Sequence, residues 1–310
     1  ISQKSIRINK NKKIMSKYNK HQLIIICLMF FMLEYIFYTD TQIFKLFQFT
    51  NFMEQNAIIF LSFIFIMTLG VSHGALDGKI IWEQGSNFSN RVKIYIFYLL
   101  IVSAGGLLWM IAPFAGLTLL LILSIFHFGS SDLKFLGTVS QIQKTSWGFL
   151  MTFLPLGFHQ ERVNEIFYLL TKSSLNTTTF LLISSLLAVT FLIYIFIAVR
   201  KILRNINKLS EVLLLLELLL LVAIAYILDP IIWFAVYFCI LHGIRAIIQL
   251  NFKWYPDLIW MLIFTSPVII FILITGNSYT SNELLILFPI LACLTNAHML
   301  LPRIIKVIKD

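Results

Sequence analysis

The chain has 310 residues, of which 59% are hydrophobic and only 12% charged. A soluble domain carries about twice that share of charge and could not hide so much apolar surface from water, so the composition excludes a soluble fold and requires a bilayer as solvent. The net charge of +10 does not indicate nucleic acid, because Lys and Arg fall in short runs between apolar stretches, as membrane topology demands.

In chain order, residues 1–22 are basic and polar and are expected to form a cytoplasmic tail. The apolar run after them has no small-residue cleavage site and is expected to anchor the chain. A spanning helix needs about 20 mostly apolar residues. Ten segments qualify: 23–38, 57–73, 94–112, 114–128, 146–158, 178–199, 212–228, 230–250, 258–275 and 283–301. The third and fourth are parted only by Pro113 and the fifth is short, so eight or nine full spans fit as well. The predicted fold is an all-α polytopic transmembrane helical bundle. It forms one integral membrane catalytic domain over 23–305, followed by a cytoplasmic tail over 306–310. No repeat of fixed period and no low-complexity linker divides it.

With the N-terminus inside and the spans alternating, the inner segments collect 20 Lys and Arg, whereas the outer loops hold only Lys45, Arg162 and Lys172. That asymmetry predicts a multi-pass protein of the cell's inner membrane with both termini cytoplasmic. Cys27, Cys239 and Cys293 lie inside apolar stretches without metal-ligand or redox spacing and are expected to pack as small apolar residues.

The six histidines carry the functional signal. His21 falls in the basic tail and His159 at the outer end of the fifth span. His73, His127, His242 and His298 fall in the second, fourth, eighth and tenth spans. These spans all run outward to inward, which brings the four imidazoles to similar depth on the cytoplasmic side. An ionisable residue at membrane depth is costly and marks function, so the four are candidate ligands of one metal ion. Asp77 follows His73 by four residues, on the same helical face, and Asp132 follows His127 by five. Each carboxylate could accept a ligand's second N–H and offset a cation's charge. For Asp132 the placement depends on whether Gly129 ends the helix. Gly74, Gly129 and Gly243 directly follow three of the histidines, which allows close backbone or substrate approach. Arg245 is expected to be structural or the partner of a carboxylate. Four neutral imidazoles suit iron, copper, zinc or nickel alike. A redox metal with open positions in an apolar cavity would suit dioxygen and a lipid-soluble substrate.

At these residues the sequence resembles the membrane β-carotene 15,15′-dioxygenase family, the bacterioopsin-related-protein-like proteins. The segments that carry the likeness are His73-Gly74-Ala75-Leu76-Asp77, Phe126-His127-Phe128-Gly129-Ser130-Ser131-Asp132 and His242-Gly243-Ile244-Arg245. The family's last histidine usually follows a proline, whereas Asn296-Ala297 precede His298 here. The resemblance spans roughly residues 60–305. It implies Fe(2+) held by His73, His127, His242 and His298, with Asp77 and Asp132 shaping the site around them. It further implies cleavage of the central double bond of β-carotene by O2 to two all-trans-retinal, and a functional link to a retinal-binding rhodopsin. Membrane lipids are the other expected partners, and nucleic acid is not. The competing readings are a haem electron-transfer protein and a metal or proton transporter. A histidine-box desaturase ranks below both, because it needs paired histidines that this chain lacks.

Overall fold

The computed structural model of the chain describes residues 18–34, 62, 65, 66, 74–136, 139–250, 252–275 and 288–309. The expected span 57–73, and His73 with it, lies outside the described residues apart from Ser62, Phe65 and Ile66. Among the described residues every regular element is helical. In chain order these are α1 (residues 18–34), α2 (Asp77–Gln84), α3 (Phe88–Ile111), α4 (Pro113–Asp132), α5 (Gln141–Phe158) and α6 (Gln160–Thr171). Next come α7 (Thr177–Leu203), α8 (Lys208–Ile227), α9 (Pro230–Gln249), α10 (Trp254–Thr275) and α11 (Phe288–Lys309). Six of them, α3, α4, α7, α8, α9 and α11, are long and apolar enough to cross a membrane. The protein is thus an all-α, multi-pass bundle.

Local chemistry sets many of the boundaries. Pro113 takes the first helical position of α4, where its missing N–H costs nothing. The side chains of Asn87, Ser140, Asn176 and Asp229 cap α3, α5, α7 and α9. The expected α3 and α4 segments prove too short: α3 begins at Phe88 and α4 runs through Gly129 to Asp132. Gly129 does not end the helix but lets another helix approach. A Cβ there would overlap the Lys144 carbonyl of α5, and one on Gly148 would overlap the Ile125 carbonyl of α4. The two backbones therefore touch at these glycines, as small residues allow between membrane helices.

Helix extends into both segments expected as tails. Helix α1 begins by Tyr18, and Tyr18, His21 and Gln22 are buried. His21 is therefore no free tail residue: its Nε2 lies 3.3 Å from the Ile240 carbonyl of α9. At the other end, α11 continues through Pro302 to Lys309. Helix α6 was not foreseen as a separate element. It is a short amphipathic helix at the end of the bundle opposite His127 and His242, tied down by Arg162 to Asp229 at 2.9 Å.

The interior packs Trp147, Leu150 and Met151 of α5 against Leu214, Leu218 and Leu221 of α8 and Trp233 and Tyr237 of α9. Helix α11 lies along α3 and also touches α4. Outward, α3 and α7 expose Leu100, Met110, Leu192 and Phe196, the surface that lipid would cover.

Candidate functional site

Three helices carry one imidazole each toward a common region. His127 comes from the last two turns of α4, His242 from α9 and His298 from the middle of α11. Residues Val236–Gly243 of α9 are π-helical. This wider turn re-aims side chains and recurs at functional sites. The Nε2 atoms of His127 and His242 lie 3.3 Å apart. The ring centroids of His127 and His298 are 5.2 Å apart. Phe238, one turn before His242, stacks on its ring at 5.7 Å, and Phe128 meets the same ring edge-on at 4.8 Å.

Each of two imidazoles is held from behind by a buried carboxylate, and the pairing crosses between helices. His242 Nδ1 lies 2.7 Å from Asp132 Oδ1, and His298 Nδ1 lies 2.8 Å from Asp77 Oδ1. The nearest-in-sequence pairing does not hold for Asp132, whose imidazole partner is His242 rather than His127. Asp77 binds His298, while His73, its expected neighbour, lies outside the described residues. The second oxygen of each acid is also engaged. Trp147 Nε1 and Tyr237 Oη donate to Asp132 Oδ2 at 2.9 and 2.8 Å, and Tyr98 Oη donates to Asp77 Oδ2 at 3.1 Å. An ionised carboxylate only accepts, so each Nδ1 is the donor; in a neutral ring the Nε2 then keeps its lone pair.

The charge balance singles out the same two acids. Five acids are buried among the described residues: Asp77, Asp132, Glu211, Glu217 and Asp257. Glu211 pairs with Lys201 at 2.8 Å, Glu217 with Arg245 and Asp257 with Lys79, both at 2.5 Å. Asp77 and Asp132 have imidazoles in place of a Lys or Arg. Two buried carboxylates in a medium of low dielectric call for two compensating positive charges. Two imidazolium rings would supply them, as would a divalent cation on the Nε2 side of neutral rings.

The donor spacing fits such an ion. Two nitrogens each about 2.1 Å from a metal are about 3.0 Å apart at a right angle and about 3.4 Å apart at the tetrahedral angle. The observed 3.3 Å falls between these, short of the about 4.2 Å that two nitrogens on opposite sides of one ion would need. Among the described residues no three His, Cys, Asp or Glu side chains converge as a complete ligand set.

His159 stands apart, as expected: its Nε2 meets the Ala225 carbonyl at 2.9 Å at the junction of α5 and α6. Arg245, fully buried, is the partner of Glu217. Sequence reasoning missed Trp147, Tyr237 and Tyr98, which no local spacing marks. It also missed Glu217, although a lone acid within Leu213–Leu221 was a usable signal.

The sequence model of the family described as Beta-carotene 15,15'-dioxygenase matches residues 64–306. A curated relative, the Beta-carotene 15,15'-dioxygenase of uncultured marine bacterium 66A03, is 26% identical over 201 residues, covering 61% of this chain and 67% of the relative. No solved structure matches. The match takes in both buried Asp–His pairs and His127 between them, and the chain belongs to the Beta-carotene 15,15'-dioxygenase family.

Proposed function

We propose that the protein is an iron-dependent dioxygenase that cleaves the central double bond of β-carotene with O2 to give two molecules of all-trans-retinal. The observation that carries this reading is the pair of buried carboxylates, Asp77 and Asp132, each spent on the Nδ1 of an imidazole, with no lysine or arginine paired to it among the described residues. His127, His242 and His298 would hold Fe(2+) through Nε2, with His73 as the fourth ligand. The iron, when bound, supplies the redox chemistry that makes O2 reactive toward a double bond.

The chain's own groups have three tasks. Asp132 and Asp77 fix the tautomers of His242 and His298 and hold the rings in place. Phe128 and Phe238 wall the imidazoles with apolar surface, which excludes water and suits a polyene. The Glu217–Arg245 pair, with Gln22 at 3.5 Å from Glu217, ties α1, α8 and α9 together behind the site.

The protein is placed in the inner membrane with its histidine end facing the cytoplasm, a reading supported by the bias of Lys and Arg toward that end. The retinal would supply a retinal-binding rhodopsin. Expression in cells that make β-carotene tests the proposal. Loss of orange colour with accumulation of retinal, and iron in the purified protein without a haem Soret band, are the expected results. Unchanged carotenoid in the presence of folded, iron-loaded protein would reject it.

A further inference from the structure

Two cavities meet beneath the imidazoles, and they differ in kind. The first, about 280 Å³, is bounded by Gly74, Asp77, Tyr95, Leu99 and His298. The second, about 210 Å³, reaches from Ser124 and Phe128 to Val163, Leu170, Pro230 and Ile231. Phe238, Leu291 and Thr295 line both. Helical register puts this shared wall directly under the site. Thr295 and Leu291 lie three and seven residues before His298, and Phe238 lies four before His242, all on the face that carries the imidazole. Ser124 stands in the same relation to His127.

The first cavity opens sideways. Leu99 stands midway along α3 and is 61% exposed, so this wall faces lipid at membrane depth. The second lies deeper: its described lining residues are all buried or half-buried. It extends along α4 from Ser124 back to Leu117, seven residues or about 10 Å at 1.5 Å per residue. Its far wall is made by α6 and the first turn of α9.

We infer that the two cavities hold opposite halves of one carotenoid and have unequal roles, an inference that rests on the carotenoid-cleaving function proposed above. The lateral cavity admits the substrate from the bilayer and keeps one half. The deeper cavity takes the other half until its end meets Val163 and Ile231, and that stop decides which double bond lies under the imidazoles. Central cleavage is then a matter of arm length, and α6 is the part of the chain that sets it.

The test uses the full-length protein with substrates delivered in phosphatidylcholine vesicles. The substrates are β-carotene and an apocarotenal with one intact ring-bearing half and one shortened arm. Val163→Phe, and Ile231→Phe from a different helix should the first variant not accumulate in the membrane, fill the far end. Each is expected to yield off-centre aldehydes from β-carotene, or to raise the kcat/KM ratio of truncated over full-length substrate at least tenfold. Leu99→Trp is expected to raise KM for vesicle-borne carotenoid while retinal remains the product. Folded far-end variants that make only retinal and lose both substrates in equal proportion would overturn the assignment. If wild-type protein yields no aldehyde from any carotenoid, the proposed function itself falls, which is a distinguishable result.

Discussion

Replacing Asp132 by Asn keeps the shape of a fully buried side chain and removes its charge. The carboxylate accepts three hydrogen bonds, from His242 Nδ1, Trp147 Nε1 and Tyr237 Oη. An amide offers one oxygen, so it must choose. With the oxygen toward His242, the amide N–H group faces the Trp147 indole N–H. Tyr237 can rotate to accept, but the indole cannot, and an orphaned buried donor costs about 1–3 kcal/mol. With the oxygen toward Trp147, the amide donates to His242 Nδ1. The imidazole proton then moves to Nε2, the atom that faces His127 at 3.3 Å, and the lone pair aimed at an ion is lost. Both orientations also remove one of the two charges that balance a dication. Loss of such a supporting partner weakens metal affinity about 10–100-fold. The assay is iron per polypeptide after purification at limiting iron, beside retinal formation in β-carotene-producing cells. Asp132→Asn protein that retained the wild-type iron content and rate would refute the tautomer argument. Trp147→Phe removes one donor and leaves the charge, so its iron content should stay close to that of the wild type.

Three further outcomes follow from the packing. Arg245→Met alone leaves Glu217 buried and uncompensated and should cost about 3–5 kcal/mol. Adding Glu217→Gln should recover most of it, read as thermal unfolding of detergent-solubilised protein. Gly148→Ala puts a Cβ against the Ile125 carbonyl, a backbone atom that cannot move aside. It should destabilise by about 1–3 kcal/mol and lower membrane accumulation, whereas Gly106→Ala, which meets nothing within 4 Å, should be silent in the same expression series. His159→Ala loses one hydrogen bond to the Ala225 carbonyl, worth about 1 kcal/mol. It should lower the melting temperature slightly and keep both iron and retinal production, since the ring lies at the far end of α5.

The sequence by itself determined the solvent, the helical class, six of the segments long and apolar enough to cross a membrane, and the family. These depend on sums along one helix: apolar length, cap residues and the position of a histidine within its span. The depth argument rests on the same kind of sum, and three of its four histidines, His127, His242 and His298, come together. His127, His242 and His298 share a level because three spans run the same way, and a span's direction follows from counting. The place of His159 at the opposite end of its segment set it apart from them.

Only the tertiary structure decided who pairs with whom. Spacing offered Asp132 to His127, but the carboxylate turns to His242 on α9, and Asp77 reaches across to His298 on α11. Whether Gly129 ends the helix was open in the sequence, and it proved to be a contact point between α4 and α5. His21 read as solvated and is buried against α9. In each case the deciding quantity is the rotation and depth of one helix relative to another. That is set by where two backbones can touch, as at Gly129 and Gly148, and periodicity within a single helix carries no record of it.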